Sequence, residues 1–139
     1  MHVVEKVEKK SQLRINSLNK KYHFLHLKNK GFRISTTNFL IVIGDLESLP
    51  KTKNSVYLCI KVSKKIGRAV KRNKIKRWVR AIFRDPNNNL SNDRLSVSNI
   101  LLNKACIFIA KSRINDINFH TLKHKIETAI LRFAGKLSR

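Results

Sequence analysis

Between Lys61 and Arg84 the chain reads KVSKKIGRAVKRNKIKRWVRAIFR, eleven lysines and arginines with no acid among them. Such a set suits anion binding and not proton transfer. Ammonium and guanidinium groups donate charge-assisted hydrogen bonds to phosphate oxygens, and arginine adds bidentate contact and stacking on bases. A helix that merely faces solvent mixes signs and gains from i,i+4 pairs, whereas this segment sets like charges at those spacings. That arrangement is destabilising until a polyanion neutralises it. Gly67, in the loop that carries Lys64 and Lys65, permits a tight turn or a close backbone approach to a ligand. The free N–H groups at the start of the following helix add a further anion site.

Other reactive residues give less. His120 and His124 stand at i,i+4 and His23 and His26 at i,i+3. Either spacing suits a metal, but no further ligands follow at set distances, and no metal site is expected. The eight acids are scattered, and neither a Ser-His-Asp set nor a carboxylate pair is evident. No catalytic residue is therefore expected in the protein itself. Cys59 and Cys106 each sit in a short apolar run. They read as buried, reduced thiols in a cytoplasmic protein and not as a disulfide framework.

The 139 residues carry 31 Lys+Arg against 8 Asp+Glu, a net charge of +23, and 42% are hydrophobic. The length suits one domain and the apolar content a real core. The imbalance makes nucleic acid the first candidate partner. No apolar run approaches the roughly 18 residues of a membrane span, and the first ten residues, with Glu5 and Glu8, do not form a secretory signal.

Hydrophobic periodicity divides the chain. Residues 1–17 read as a flexible basic extension and 18–139 as the domain. A short helix is expected over Leu18–Lys30, ended by Gly31, and a strand over Phe39–Ile43 closed by Gly44-Asp45. A basic polar loop runs to Asn54. Ser55–Ser63 alternates, with Val56, Leu58, Ile60 and Val62 on one face and Tyr57, Cys59 and Lys61 on the other. A helix spans about Ala69–Phe83. Residues 85–103 read as a loop with a helical turn near Leu95–Leu102. A strand follows at Ala105–Ala110, then a helix at Phe119–Leu137 whose stripe is Phe119, Leu122, Ile126, Ala129, Ile130 and Phe133. With an extra short strand near Arg33–Ser35, the expected architecture is α+β: a single small domain, an about four-stranded mixed sheet and three helices. At 100° per residue, Ile75, Trp78, Val79, Ile82 and Phe83 share one arc of the basic helix. Asn73, Arg77, Arg80 and Arg84 line the opposite side, flanked by Lys74 and Lys76. Arg68, Lys71 and Arg72 leave that stripe and project from the first turn. A helix-turn-helix is disfavoured because a strand precedes the basic helix. RNA-recognition-motif aromatics are missing.

Segment 62–84 closely resembles the signature of the bacterial ribonuclease P protein subunit. The matching residues are Ser63, Lys64, Lys65, Gly67, Ala69, Val70, Arg72, Asn73, Lys76, Arg77, Arg80, Phe83 and Arg84. Phe24, Gly31 and Phe39 fit the family's first helix and strand, and the likeness covers about Leu18 to Leu137. The resemblance implies a β-α-β crossover of left-handed sense around the basic helix. It implies a protein that binds a large catalytic RNA, the holoenzyme cutting the 5′ leader from precursor tRNA. The hydrolysis belongs to the RNA with Mg²⁺, no cofactor being held by the protein alone, and neither DNA nor membrane is a partner. Contacts to the catalytic RNA are implied for Lys64, Lys65, Gly67, Arg68, Arg72, Asn73, Lys76, Arg77, Arg80 and Arg84. A cleft between the first helix and the sheet would take the leader, with Phe24 stacking on a base and Tyr57, Cys59 and Lys61 lining it. Lys28 stands where the family often has a second aromatic, Cys59 where it has a small residue and Tyr57 where it has an arginine. The rival readings are a structural RNA-binding protein, such as a small ribosomal protein, and a stand-alone nuclease, which the scarcity of acids disfavours.

Overall fold

The computed structural model describes residues 14–18, 20–46, 49, 55–84 and 100–137. Five strands form one sheet: β1 (Arg14–Ser17), β2 (Phe32–Ser35), β3 (Phe39–Gly44), β4 (Ser55–Lys61) and β5 (Ala105–Ala110). Three α-helices accompany it: α1 (Lys21–Lys30), α2 (Ala69–Arg84) and α3 (Phe119–Leu137). Single 3-10 turns at Lys64–Ile66 and Ser112–Asp116 lead into α2 and toward α3.

The strand order is β1-β4-β5-β3-β2. β1 and β5 each run parallel to β4, while β3 is antiparallel to both β5 and β2. Parallel neighbours require a crossover, and α2 supplies the one between β4 and β5. The sheet has five strands and not about four. The additional one is β1, in part of what reads from sequence as an extension. Arg14–Ser17 is too short and polar to show a strand period, but it pairs in register with Ser55–Leu58. Residues 14–17 therefore belong to the sheet, and residues 1–13 lie outside the described residues. The expected helix over Leu18–Lys30 begins at Lys21, because Leu18 is drawn into the core and its N–H donates to the Leu58 carbonyl at 3.1 Å. Residues 50–54 and 85–99 lie outside the described residues, and with them the expected basic loop and most of the expected helical turn. Ile100 and Leu101 form the end of a helical turn, and Asn103 takes a left-handed φ of 60° on the way into β5.

The two sheet faces are covered unequally. One packs Ile34, Ile41, Ile43, Val56, Leu58, Cys106 and Phe108 against Ile75, Val79, Ile82 and Phe83 of α2 and Leu122, Ile126, Ile130 and Phe133 of α3. The stripes of both helices match their sequence periodicity. Asn118 caps α3, its Oδ1 accepting the Thr121 N–H at 2.9 Å. The opposite face packs Val42, Tyr57, Ala105 and Ile107 against Leu27 of α1, with Leu18 and Leu46. α1 ends where Gly31 donates its N–H to the Leu27 carbonyl at 2.7 Å. A side chain at Gly31 would place Cβ 2.6 Å from both that oxygen and Val42 Cγ1, so only glycine lets the helix end rest on β3. Ile82 is fully enclosed between α2 and the sheet. Ile82→Ala is expected to lower unfolding free energy by about 2–5 kcal/mol in a urea titration.

Candidate nucleic-acid interface

β4 leaves the sheet at Lys61 and turns through Lys64–Ile66 before α2 begins. Ile66 is buried and anchors this turn in the main core. Its carbonyl accepts from Asn115 Nδ2 at 3.0 Å, and the Gly67 carbonyl accepts from an Arg72 guanidinium N–H at 2.8 Å. Two carbonyls just ahead of the helix are thus occupied, and the turn is fixed from both sides. Gly67 sits at φ 157°, where a side chain is strained, and a Cβ there would meet Lys71 Cδ at 2.8 Å. On this platform Lys64, Lys65, Arg68 and Lys71 are exposed. Arg72 differs from its expected place: it is half-buried and folds back on Gly67 instead of projecting freely.

Along α2, Asn73, Arg77, Arg80 and Arg84 are all exposed, as the helical layout requires. They form a line about 16 Å long at 1.5 Å per residue. Lys76 flanks it, half-buried. Trp78 packs edge-on against Phe119, with ring centroids 5.7 Å apart, and carries Lys74 Nζ 4.8 Å from its own ring centroid. Its role is therefore to join α2 to α3. No cation of α2 pairs with a carboxylate among the described residues. The ion pairs Lys104–Asp45 and Arg113–Asp116, both at 2.9 Å, lie elsewhere. Val70, 82% exposed, is an apolar side chain among Arg68, Lys71 and Lys74, beside a hollow that Ile66 and Gly67 help to line. The sequence reading did not assign it as a contact, although its place outside the apolar arc was the available signal.

The second expected surface is only partly assembled. Phe24 is half-buried at the edge of α1, and Lys61 Nζ lies 4.4 Å from its ring centroid. Cys59, half-buried, shares that sheet face with Leu40 and Ile109. Tyr57 does not line an open cleft. It is buried beneath α1 and Leu18, in the smaller core. The reason is register: Tyr57 lies opposite Ala105 within the part of the sheet that α1 covers, whereas Cys59 and Lys61 extend past β1, which pairs only as far as Leu58. Burial pushes the Cys59 thiol up, and the charges of Lys61 and Lys76 oppose that rise. Cys106 is wholly buried, and desolvation holds its thiol far above the ordinary range. Among the described residues no three His, Cys, Asp or Glu side chains gather as a metal site would require. No helix there is long and apolar enough to cross a membrane.

A mixed five-stranded sheet that presents an acid-free basic helix on one face and a half-apolar cleft on the other is a nucleic-acid-binding module, with its charge carried along the α2 crossover between β4 and β5. Residues 13–134 match the family model described as Ribonuclease P, and the chain belongs to that family. It is 34% identical to the ribonuclease P protein component of Rickettsia canadensis over 123 residues, 85% of this chain and 97% of the relative. With the Rickettsia prowazekii protein component it shares 35% identity over 127 residues, 87% of this chain and 97% of the relative. Among solved structures, the Staphylococcus aureus RNase P protein superposes with a TM-score of 0.64 at 28% identity, covering 85% of this chain and 94% of that one. The Thermotoga maritima RNase P protein shares the fold, with a TM-score of 0.60 and 23% identity over 84% of this chain and 96% of that one. The curated relatives are protein components of the enzyme that processes tRNA 5′ ends, which disfavours the ribosomal-protein reading.

Because Arg77 and Arg80 are exposed and have no carboxylate partner among the described residues, Arg77→Ala or Arg80→Ala is expected to weaken RNA binding. Each should also flatten its salt dependence by about one unit per lost phosphate contact, read by filter binding across a salt series. Melting temperature should stay at the wild-type value, since neither side chain touches the apolar arc.

Proposed function

We propose that this chain is the non-catalytic subunit of a ribonucleoprotein endonuclease that removes the 5′ leader from precursor tRNA. The observation that carries the reading is the acid-free line Asn73–Arg77–Arg80–Arg84, exposed on a helix anchored in a ribonuclease P family fold. In this reading the line docks on the catalytic RNA with Lys64, Lys65, Arg68 and Lys76. Gly67 and Arg72 hold the turn that presents them. Hydrolysis belongs to the RNA, with Mg²⁺ supplying the Lewis acid and the activated water there. The protein contributes cations where two RNA molecules meet. Their repulsion is screened by fixed charge, and the divalent-ion requirement falls accordingly.

The leader's single strand enters beside Phe24. A base stacking on that ring takes the place of the Lys61 ammonium, which then meets the neighbouring phosphate. Cys59 forms part of the floor, and Tyr57 supports it from within the smaller core. The two thiols fit a reducing compartment, and the cytoplasm, where precursor tRNA is made, is the expected location.

The direct test is reconstitution. The ribonuclease P RNA of the same genome, transcribed in vitro, should cleave precursor tRNA at low Mg²⁺ only when this protein is added. The protein alone should cleave nothing. Tight RNA binding without any gain in cleavage would return the chain to a purely structural role. Phe24→Ala should lose about 1–3 kcal/mol of affinity for precursor carrying a leader, with mature tRNA and catalytic RNA bound as before. Equal losses for mature and precursor tRNA would remove Phe24 from the leader path.

A further inference from the structure

α1 carries apolar side chains on two sides. Leu27 is buried in the smaller core, whereas Tyr22 and Leu25 point outward, 59% and 56% exposed. One exposed apolar residue is ordinary on a protein surface. Here two large ones stand at i,i+3 and are neighbours on the helix surface. This ten-residue helix holds half of the four exposed large apolar side chains among the described residues. The Tyr22 ring is also propped from within. Buried His23 backs it, with ring centroids 4.3 Å apart, and its outer side is left open to solvent.

The order of residues around α1 links this pair to the cleft. At 100° per residue, Lys28 and Lys21 follow Phe24 at about 40° and 60°, Leu25 at about 100° and Tyr22 at about 160°. Leu27 and His23 lie on the other side of Phe24, toward the sheet. Both lysines are exposed. The surface therefore runs from an aromatic ring, over two cations, to an aliphatic and a second aromatic ring. On a helix about 10 Å across, the arc from Phe24 to Tyr22 is about 14 Å. That is about four nucleotides at the stacked rise of roughly 3.4 Å, and fewer when the strand is extended. No acid occurs between Lys20 and Lys30, and the chain carries +23, so a second copy is repelled from this face. An acidic peptide would satisfy the lysines but brings no flat apolar face at each step. Unpaired RNA brings both, a phosphate for each cation and a base for each ring.

We propose that the outer side of α1 is a second stacking site for the 5′ leader, an inference that rests on the assignment of the leader to the Phe24 cleft. Beyond the base at Phe24 the strand wraps α1. Its phosphates pass Lys28 and Lys21, and a later base stacks on Tyr22 against Leu25. A short leader reaches Phe24 alone, and a longer one reaches both rings. Affinity for precursor then rises with leader length in two steps.

The test uses the full chain assembled with the ribonuclease P RNA. Precursor tRNAs with a non-hydrolysable scissile bond carry leaders lengthened one nucleotide at a time to about ten, and affinity is read by filter binding. The unaltered complex should show both steps. Tyr22→Ala should lose only the second, binding long leaders roughly 5- to 150-fold more weakly, the worth of one stacked base. Short-leader precursor and mature tRNA should bind it as before, and Tyr22→Phe should restore the second step. Lys21→Ala/Lys28→Ala supplies an independent variant. It should flatten the salt slope for long leaders by about 1.4, at about 0.7 per single-strand phosphate contact. A single step in the unaltered complex, a Tyr22→Ala profile identical to it, or an equal loss on mature tRNA would each overturn the proposal. Phe24→Ala tells the two failures apart. If it still weakens binding of every leader, the outer site alone has failed; if it too is silent, the leader cleft falls with it.

Discussion

Seven lysines and arginines occupy the sixteen residues of α2, and they repel one another. The helix forms because Ile75, Val79, Ile82 and Phe83 are buried on the sheet and tie it down along its inner side. Each fully buried side chain of this size is worth about 1.5–3 kcal/mol, against a few tenths for each like-charge i,i+4 contact. Burial wins by a wide margin, and the cations are carried as passengers on an apolar seam. Everything functional about the surface follows from that inequality. The charges are held at fixed spacing before any partner arrives, so little ordering entropy is lost on binding.

The unequal covering of the sheet is the second determinant. Two long helices seal one face, while the ten-residue α1 seals only part of the other. The uncovered part lies where β4 outruns β1, and Phe24, Cys59 and Lys61 meet there. A short helix therefore leaves an opening whose floor is strand and whose wall is aromatic. α1 also turns Tyr22 and Leu25 outward, 59% and 56% exposed, while His23 and Leu27 face the sheet. Its weak amphipathicity reflects a helix held at one end by Gly31 and β3 more than by a continuous stripe.

Long-period features were legible in the sequence. α2 and α3 show clean apolar arcs whose buried positions follow the pattern, and β4 alternates in sequence although Ser55 to Leu58 are all buried because both faces of that part of the sheet are covered. The acid-free segment marks the charged surface from sequence alone. What failed was short or depended on distant partners. β1 has four residues with no pattern of their own, and it is a strand only because the β4 edge is available to pair with it. Arg72 reads as another free cation, and only the fold brings the Gly67 carbonyl within its reach. Tyr57 alternates correctly onto the cleft face, yet alternation says nothing about how far α1 extends over that face.

The strand order also sets a timetable. β5, built from residues 105–110, lies at the centre of the sheet and joins the β1-β4 pair to the β3-β2 pair. During synthesis the two halves have nothing to hold them together until most of the chain has left the ribosome. α2 emerges earlier, without the strand that completes its packing surface. Pairings so distant in sequence slow folding. A nascent chain of this kind presents its cations to surrounding RNA before its core has closed, and any RNA that favours the closed form pulls folding forward by mass action.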